Sequence, residues 1–385
     1  MAEIAFWCSV ALVAYAYFGY PCGLWLLARV RRRPAPPAPA PGWTPRVSFI
    51  VTAHDEAARI REKIENTLAQ EYPADALEVI VASDCSTDGT DAIVRAYEPR
   101  VRLVRLARRQ GKEAAQQQAI ASASGEILVF SDVATALRPD GVATLVAEFA
   151  DPSVGCASSV DRFVDGQGRA SGEGAYVRYE MWLRGLESRV NSLVGLSGSF
   201  FAARREVCAR FAADRQSDFH TLLSAVDMGL RGVLATRSAG YYRNIADERR
   251  EFQRKVRTVV RGLHVLWSSR GLLNPLRHGL FAWQLASHKL CRWLVPHAMA
   301  VALVASAALA LTSPLYAALL ALQGAFYAAA LAGARTGAPA LRIPAYLLVA
   351  NLGVLLAWVR FLRGERIAMW SPSERLAALP PAAGR

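Results

Sequence analysis

The chain has 385 residues, 53% of them hydrophobic, and a formal net charge of +13 at pH 7. This length allows one large domain with membrane segments or two modest domains, and the charge favours an anionic partner such as a phosphate-bearing substrate or a membrane face. Because arginines cluster beside apolar segments and neither zinc-finger spacing nor a basic heptad helix is present, nucleic acid is not an expected partner.

The first predicted element is a membrane helix over residues 1–33. Residues 4–30 are almost wholly apolar, and arginines stand at the end of this stretch, at 29 and 31–33. A cleavable signal peptide carries its charge before a shorter apolar stretch, so this order predicts an outside N-terminus and a cytoplasmic domain after the helix. The Pro/Ala-rich run over 34–45 predicts a semi-rigid, extended linker.

Residues 46–245 alternate short β-branched runs with helical segments. Strands are predicted over 47–52, 77–82, 101–106 and 127–130. Helices are predicted over 56–70, 90–97 and 112–123. This pattern predicts an α/β fold with a doubly wound, mostly parallel, Rossmann-like sheet that binds ligands at the carboxyl ends of its strands. Such sheets also serve binding and transport, so the fold alone leaves the function open.

A helix over 174–194 carries aromatic and arginine side chains, among them Trp182, at helical spacing. It is amphipathic, and two interpretations stay open: a membrane interface, or packing against the sheet.

The basic segment 246–291 predicts interfacial helices, and residues 292–364 predict membrane helices at 292–312 and 314–334. A third full crossing would carry the tail, residues 365–385, outside. Yet arginines at 360, 363, 366 and 375 favour the cytoplasm. We therefore predict that 343–363 is interfacial or re-entrant.

Three aspartates at strand ends or helix starts are candidate functional residues. Asp84 stands in a turn after a strand, where its carboxylate can accept a hydrogen bond from a nucleobase or ribose, whereas Asp88 is assigned to the turn itself. Asp132 ends a strand, where a carboxylate beside a diphosphate suits Mg²⁺. Asp218 begins a helix and can act as a general base. Each also has a structural alternative as a helix cap, and it is their order on one sheet that favours a site.

Basic residues complete the predicted site. Lys112 follows a glycine at a helix start and is well placed to meet a phosphate, although P-loop spacing is absent. The basic tract that contains Arg254 and Arg257 can neutralise a leaving diphosphate or lie on lipid head groups, and both interpretations stay open.

Over about residues 46–262 these motifs resemble the family 2 inverting glycosyltransferases, in the membrane-embedded branch of cellulose, chitin and hyaluronan synthases. The resemblance implies a GT-A fold, Mg²⁺ or Mn²⁺ on Asp132, and Asp218 as catalytic base. It implies contacts to the nucleotide-sugar from Thr52, His54, Glu56, Asp84, Lys112, Asp132, Arg254 and Arg257. It assigns the acceptor pocket to Gly198 and Ser199, with Trp182 as a further hypothesis. Trp370 with Arg375 is similar to a tail motif of such synthases.

Three departures bear on the function. Ala134 stands where the second acid of the DxD motif is usual, and Ser217 stands where an acid usually precedes the catalytic aspartate. Residues 254–258 lack the glutamine and tryptophan of the family's tract. The resemblance implies transfer from a nucleotide-sugar, with a UDP-sugar expected, to a cell-surface polysaccharide or glycan at the inner (plasma) membrane. Transfer of one sugar to a polyprenyl-phosphate or lipid stays open, as does a non-catalytic subunit that binds nucleotide-sugar or a partner membrane subunit.

Overall fold

The computed structural model describes residues 1–31, 39–164, 175–243 and 248–367. The chain divides into two compact units. A helical unit combines Met1–Leu27 with Asp247–Arg366, and a sheet unit lies within Ala28–Ala246.

The chain begins with a long apolar helix, as its composition predicts. α1 (Ala2–Ala14) continues through a π-helical turn (Tyr15–Gly19) into α2 (Tyr20–Val30). The continuous helix has 29 residues and a mean hydropathy of 1.5. It is therefore about 44 Å long, more than the roughly 30 Å of a bilayer's hydrocarbon core.

The sheet unit is built on an eight-stranded sheet. Its strands are β1 (Val47–Ala53), β2 (Leu77–Ser83), β3 (Val101–Arg105), β4 (Ile127–Asp132), β5 (Ala136–Leu137), β6 (Val154–Val164), β7 (Phe200–Arg204) and β8 (Arg231–Arg243). Their order is β3-β2-β1-β4-β7-β6-β8-β5. The first four strands pair in parallel, which confirms the predicted α/β alternation.

The second half of the sheet is mixed. β7 runs antiparallel to β4 and β6, and β5 runs antiparallel to β8, whereas β6 and β8 are parallel. Because β7 enters beside β4 from the opposite direction, the residues just before β7 lie next to the carboxyl end of β4. The antiparallel pairing therefore brings the end of β4 and the residues before β7, which are distant in the chain, to the same edge of the sheet.

Helices cover both faces of the sheet. They are α3 (Ile60–Leu68), α4 (Thr90–Arg95), α5 (Lys112–Ser122), α6 (Gly141–Val146), α7 (Ala175–Val190), α8 (Arg205–Cys208) and α9 (Ser217–Asp227). On one face Phe49 packs in a core with Ile64, and on the other Ile50 packs in a core with Ala115. Two-sided burial explains why apolar residues stand at consecutive positions in β1 and β4 instead of alternating with polar ones. α3 begins later than predicted because residues 55–59 form a turn.

The C-terminal part of the chain is helical. Its helices are α10 (Glu248–Ser268), α11 (Pro275–Leu285), α12 (Arg292–Leu309), α13 (Pro314–Thr336) and α14 (Arg342–Leu362). With the first helix, the stretches Pro275–Leu309, Pro314–Thr336 and Pro339–Leu362 give the described part of the chain four helices long and apolar enough to cross a membrane.

α10 and α14 lie side by side and run in the same direction. Near their starts, Lys255 Nζ is 4.6 Å from the ring centroid of Tyr346. Near their ends, the ring of His264 is 4.7 Å from that of Phe361. The contact therefore extends along most of both helices. α14 is a continuous helix of 21 residues, so its predicted interfacial placement stays a prediction that length and composition do not decide.

Candidate active site

The turns that follow β1 and β2 are bonded to each other. Asp55, whose φ is 51°, accepts a hydrogen bond from Thr87 N at 2.7 Å. Asp88 accepts from Ala57 N at 2.8 Å and from Thr90 N at 3.0 Å. Burial acts to raise the pKa of Asp88, but hydrogen bonds from Thr90 and Ala57 outweigh it and lower that pKa. Asp88 is thus the structural turn residue that the sequence predicted.

Asp84 is fully buried directly after β2. Its Oδ1 accepts from Gln110 N at 2.7 Å, and its Oδ2 accepts from Gly111 N at 2.9 Å. His54 Nδ1 lies 2.7 Å from the Asp84 main-chain oxygen. The carboxylate therefore fixes the turn that leads into α5, a role that the sequence did not predict. Its contact to the nucleobase stays a prediction.

Lys112 and Asp132 meet at the carboxyl end of β4. Lys112 Nζ donates to Asp132 Oδ1 at 2.5 Å and to Gly198 O at 3.0 Å. Asp132 N donates to Ser199 O at 3.1 Å. Within the described residues, Asp132 Oδ2 accepts no hydrogen bond, so this oxygen is open to a ligand. The predicted phosphate-binding lysine and the predicted metal-binding acid are thus in direct contact.

Asp218 reaches the same place from the first turn of α9. A Cβ added at Gly198 would lie 3.2 Å from Asp218 Oδ2, so the glycine packs directly against this carboxylate. Gln216 Nε2 donates to the same oxygen at 3.3 Å. Lys112 and Asp132 form hydrogen bonds with the main chain of residues 198–199, and Asp218 packs against Gly198. The family resemblance assigned these two residues to the acceptor pocket.

An ion pair that the sequence did not reveal, with a buried arginine and a half-buried aspartate, supports this segment. Arg184 of α7 is 8% exposed, and its Nη1 lies 3.7 Å from Asp161 Oδ2. Asp161 Oδ1 accepts from Ser197 Oγ at 2.5 Å, and Arg184 Nη2 donates to Gly195 O at 3.2 Å. The pair therefore holds the chain just before Gly198. An acid following an otherwise apolar and small-residue run is the signal that points to Asp161.

Two buried titratable groups lie beside the site. Burial raises the pKa of Glu56; the ion pair with Arg59 opposes this change and the Asp132 carboxylate adds to it. Burial lowers the pKa of Lys63 to about 7, and the charge of Asp132 opposes the change. Lys63 Nζ donates to Ser131 Oγ at 2.8 Å. Both groups therefore lie in the electrostatic field of Asp132.

Known proteins share the segment that carries most of these residues. Residues 48–211, which include Asp84, Lys112, Asp132 and Gly198, match the family described as Glycosyl transferase family 2. This segment is a family 2 glycosyltransferase domain. The family of this domain is one of glycosyl transfer. Asp218 lies beyond the matched residues.

Two relatives match parts of the glycosyltransferase domain. The succinoglycan biosynthesis protein ExoO of Rhizobium meliloti (strain 1021) is 39% identical over 109 residues, which are 28% of this chain and 31% of that protein. An N-acetylglucosaminyltransferase of Bradyrhizobium elkanii is 34% identical over 117 residues, which are 29% of this chain and 64% of that protein. The chain covers less than two thirds of either relative.

One solved structure resembles nearly the whole chain. The mannosyltransferase PcManGT from Pyrobaculum calidifontis, in complex with GDP-Man and Mn²⁺, superposes with a TM-score of 0.73 at 28% identity. The match covers 95% of this chain and 100% of that chain. The glycosyltransferase domain therefore has the GT-A type of fold, with apolar helices before and after it. The polysaccharide-synthase branch stays a prediction.

A divalent metal fits this site in company with a donor diphosphate. In the described part of the chain no three His, Cys, Asp or Glu side chains converge as a ready-made metal site. Val133 and Ala134 follow Asp132, so the turn supplies one carboxylate. Mg²⁺ binds through one or two carboxylates when substrate phosphates and water supply the other ligands. The open Oδ2 of Asp132 can be that protein ligand.

The remaining predicted residues take less central positions. Thr52 is buried opposite Asp132 in the sheet register, and its hydroxyl has no hydrogen-bond partner within the described ranges. Trp182 is 44% exposed on α7, with its ring 6.0 Å from that of Tyr179. The opposite face of α7 buries Leu183. One face of α7 thus packs inside the sheet unit, while Trp182 lies on an exposed part of the helix.

The basic candidates lie in the helical unit. Arg254 forms two hydrogen bonds with Glu251, at 2.8 and 2.7 Å, on α10. Arg257 belongs to the same helix. Their contact with the donor stays a prediction. Trp370 and Arg375 of the predicted tail motif lie outside the described residues.

Proposed function

We propose that this protein is a membrane-bound, inverting glycosyltransferase that transfers a sugar from a cytoplasmic nucleotide-sugar to a growing cell-surface polysaccharide or glycan. The observation that carries the proposal is the convergence of Lys112, Asp132 and Asp218 on residues 198–199. Inverting transfer needs a cation for the diphosphate, a metal ligand and a base, and these three side chains supply one of each.

In the proposed mechanism Asp218 removes the proton of an acceptor hydroxyl, which attacks the anomeric carbon of an α-linked sugar and forms a β-linkage. Lys112 stabilises the negative charge that develops on the departing diphosphate. Asp132 would hold a divalent metal, which would supply further positive charge for the departing diphosphate. The missing side chain of Gly198 leaves room for the Asp218 carboxylate beside the acceptor.

The donor is a nucleoside-diphosphate sugar in this proposal. The family resemblance implies a UDP-sugar. The similarity of 95% of the chain to a mannosyltransferase that was solved with GDP-Man supports GDP-Man as an equal candidate. Both nucleotides present a diphosphate to Lys112 and Asp132, so the base contacts near Asp84 decide between them.

A lipid-linked acceptor is the second candidate. The described part of the chain offers four candidate membrane helices, which give few walls for a polymer channel. Residues 254–258 also lack the tryptophan that contributes to the acceptor site in the processive enzymes that these motifs resemble. Both observations favour transfer of a single sugar to a polyprenyl-phosphate or lipid.

We propose a multi-pass location in the inner (plasma) membrane with the glycosyltransferase domain in the cytoplasm. The pairing of α10 with α14 bears on the depth of α14. α10 contains eight charged residues, and each costs about 2.5–3.5 kcal/mol at the centre of a bilayer. A helix with that composition stays at the interface, and it runs beside α14 for most of its length. The pairing therefore supports an interfacial α14 and a cytoplasmic tail.

The function is tested with membranes that contain the full chain and a panel of radiolabelled nucleotide-sugars that includes UDP-sugars and GDP-Man. Sizing the product separates a high-mass glycan from a lipid-linked monosaccharide. Asp218→Asn lowers the rate roughly 10²- to 10⁴-fold if Asp218 is the base. Asp214→Asn, the same change at an exposed position four residues earlier, is the matched control. Full activity of Asp218→Asn would refute the assignment, and no transfer by the wild type would favour a non-catalytic subunit.

A further inference from the structure

Polar side chains of α3 and its C-terminal turn fasten the chain segment that follows β4. Lys63, Asn66 and Gln70 are spaced so that they share one helix face. Asn66 Nδ2 donates to Leu137 O at 2.8 Å, and Asn66 Oδ1 accepts from Leu137 N at 2.9 Å. Gln70 Oε1 accepts from Val142 N at 3.0 Å. The two amides thus fix the later part of this segment.

Lys63 fastens the earlier part, which carries Asp132. The lysine is 2% exposed, and its Nζ donates to Ser131 Oγ at 2.8 Å and to Thr135 O at 2.7 Å. The ring centroid of Phe49 lies 5.3 Å from the same nitrogen. Ser131 precedes Asp132, and Thr135 N closes the turn on Asp132 O at 3.2 Å. Lys63 therefore tethers the chain on both sides of Asp132.

We propose that Lys63 is a positioning residue for donor binding, which holds the turn from Ser131 to Thr135 so that the Asp132 carboxylate faces the donor diphosphate and its metal. Because Ala134 supplies no second acid, binding of the metal and its diphosphate depends on the orientation of the Asp132 carboxylate alone in this turn. The inference rests on the function proposed above for Asp132.

The choice of residue supports more than a structural role. Neutral amides satisfy the main-chain groups at Leu137 and Val142. An ammonium is far more costly to bury than an amide, yet a lysine occupies the position closest to Asp132. Its pKa is lowered to about 7 by burial. The charged amine has three hydrogens and the neutral amine two, so the tether to Ser131 and Thr135 persists through neutral pH.

The test measures binding of UDP and of GDP, each with Mn²⁺, by calorimetry on the detergent-purified full chain, together with kcat/KM for transfer. The variants are Lys63→Met, Asp132→Asn, the double variant, and Gln70→Leu. Gln70→Leu is the matched control because it cuts the same kind of main-chain bonds farther from Asp132. Thermal unfolding checks that every variant is folded at the assay temperature.

Lys63→Met is expected to weaken nucleotide–Mn²⁺ binding and to lower kcat/KM by about 10- to 100-fold, the usual cost of losing a residue that orients a metal ligand. In the Asp132→Asn background the same change should cost about threefold or less, because two residues that act as one unit are not additive. Gln70→Leu should stay within about threefold of the wild type in both quantities.

Three results would overturn the proposal: a folded Lys63→Met variant that binds nucleotide as the wild type does, losses that multiply in the double variant, or an equal loss in Gln70→Leu. If Lys63→Met does not fold, Ser131→Ala removes one tether at little cost in volume. Its loss of binding should likewise disappear in the Asp132→Asn background, and an undiminished loss there would refute the tether. If Asp132→Asn itself binds normally, or if the wild type binds neither nucleotide, the role proposed for Asp132 fails and this inference fails with it.

Discussion

A single methyl group at Gly198 tests whether Asp218 is the base. In Gly198→Ala the new Cβ would lie 3.2 Å from Asp218 Oδ2 and 3.5 Å from its Cγ. Carbon atoms prefer each other at about 3.5–4.0 Å, and the smaller oxygen fits near the lower end of that range, so the carboxylate must retreat by roughly 0.3–0.5 Å. The variant keeps the main-chain oxygen of residue 198, which accepts a hydrogen bond from Lys112.

The size of the effect follows from that displacement. A misplacement of about 1 Å at a reacting centre costs roughly 10²-fold in rate, so a retreat of roughly 0.3–0.5 Å corresponds to about a fourfold to tenfold loss of kcat. KM for the donor should change by about twofold or less, because the displaced carboxylate acts on the acceptor rather than on the donor.

The assay is steady-state transfer with saturating acceptor, in the wild type and in the Asp218→Asn background. Gly324→Ala is the matched control, since a Cβ at Gly324 on α13 would meet nothing within 4 Å. The loss should appear in the wild type and vanish in the Asp218→Asn background. Unchanged kcat in a folded Gly198→Ala variant, or the same loss in both backgrounds, would show that this carboxylate is not the group that limits the reaction.

Four further outcomes are expected. Lys112→Met should lower kcat/KM by about 10²-fold in steady-state assays, because the diphosphate loses a cation. The bonds that lower the pKa of Asp88 stabilise the fold above the unfolded value of about 3.9 and are lost as pH falls through the folded pKa. Asp88→Asn should therefore lower Tm at neutral pH, and thermal unfolding at successively lower pH should show that difference shrinking. Gly125→Ala puts a Cβ 2.4 Å from Ser48 N, so chemical unfolding should show a loss of about 3 kcal/mol or more. Chelation by EDTA should abolish transfer, and added Mn²⁺ should restore it.

The parts of the fold that the sequence predicted are those with local patterns. β1, β2 and β4 are buried on both faces for most of their length, so apolar residues stand at consecutive positions in their sequences instead of alternating with polar ones. β6 and β8 carry small and polar residues instead. Ser158 and Ser159 of β6 are fully buried. Ser158 Oγ accepts from Arg184 at 2.6 Å, and Ser159 Oγ donates to Phe200 O at 2.8 Å. Such partners lie far away in the chain, so no local pattern reveals them.

Some residues of the candidate site could likewise be found from local sequence patterns, and others could not. Asp132, Lys112 and Asp218 stand at the ends of strands or the starts of helices, and such positions can be found in a sequence of alternating elements. Lys63 stands in the middle of an amphipathic helix, where a lysine usually faces solvent. Its partner Ser131 is 68 residues away. Only the folded chain shows that this lysine is buried beside the site.

The carboxylate of Asp84 has a consequence for donor selection. It holds the main-chain amides of Gln110 and Gly111, and the next residue is the lysine that contacts Asp132. If the nucleobase also bonds to Asp84, one side chain links the end of the donor that identifies it to the end that reacts. A nucleotide with the wrong base would then bind less well and would also change the orientation of Lys112 toward the diphosphate. Discrimination between UDP-sugars and GDP-Man should accordingly be visible in turnover, and substitutions at Asp84 should alter fidelity and speed together.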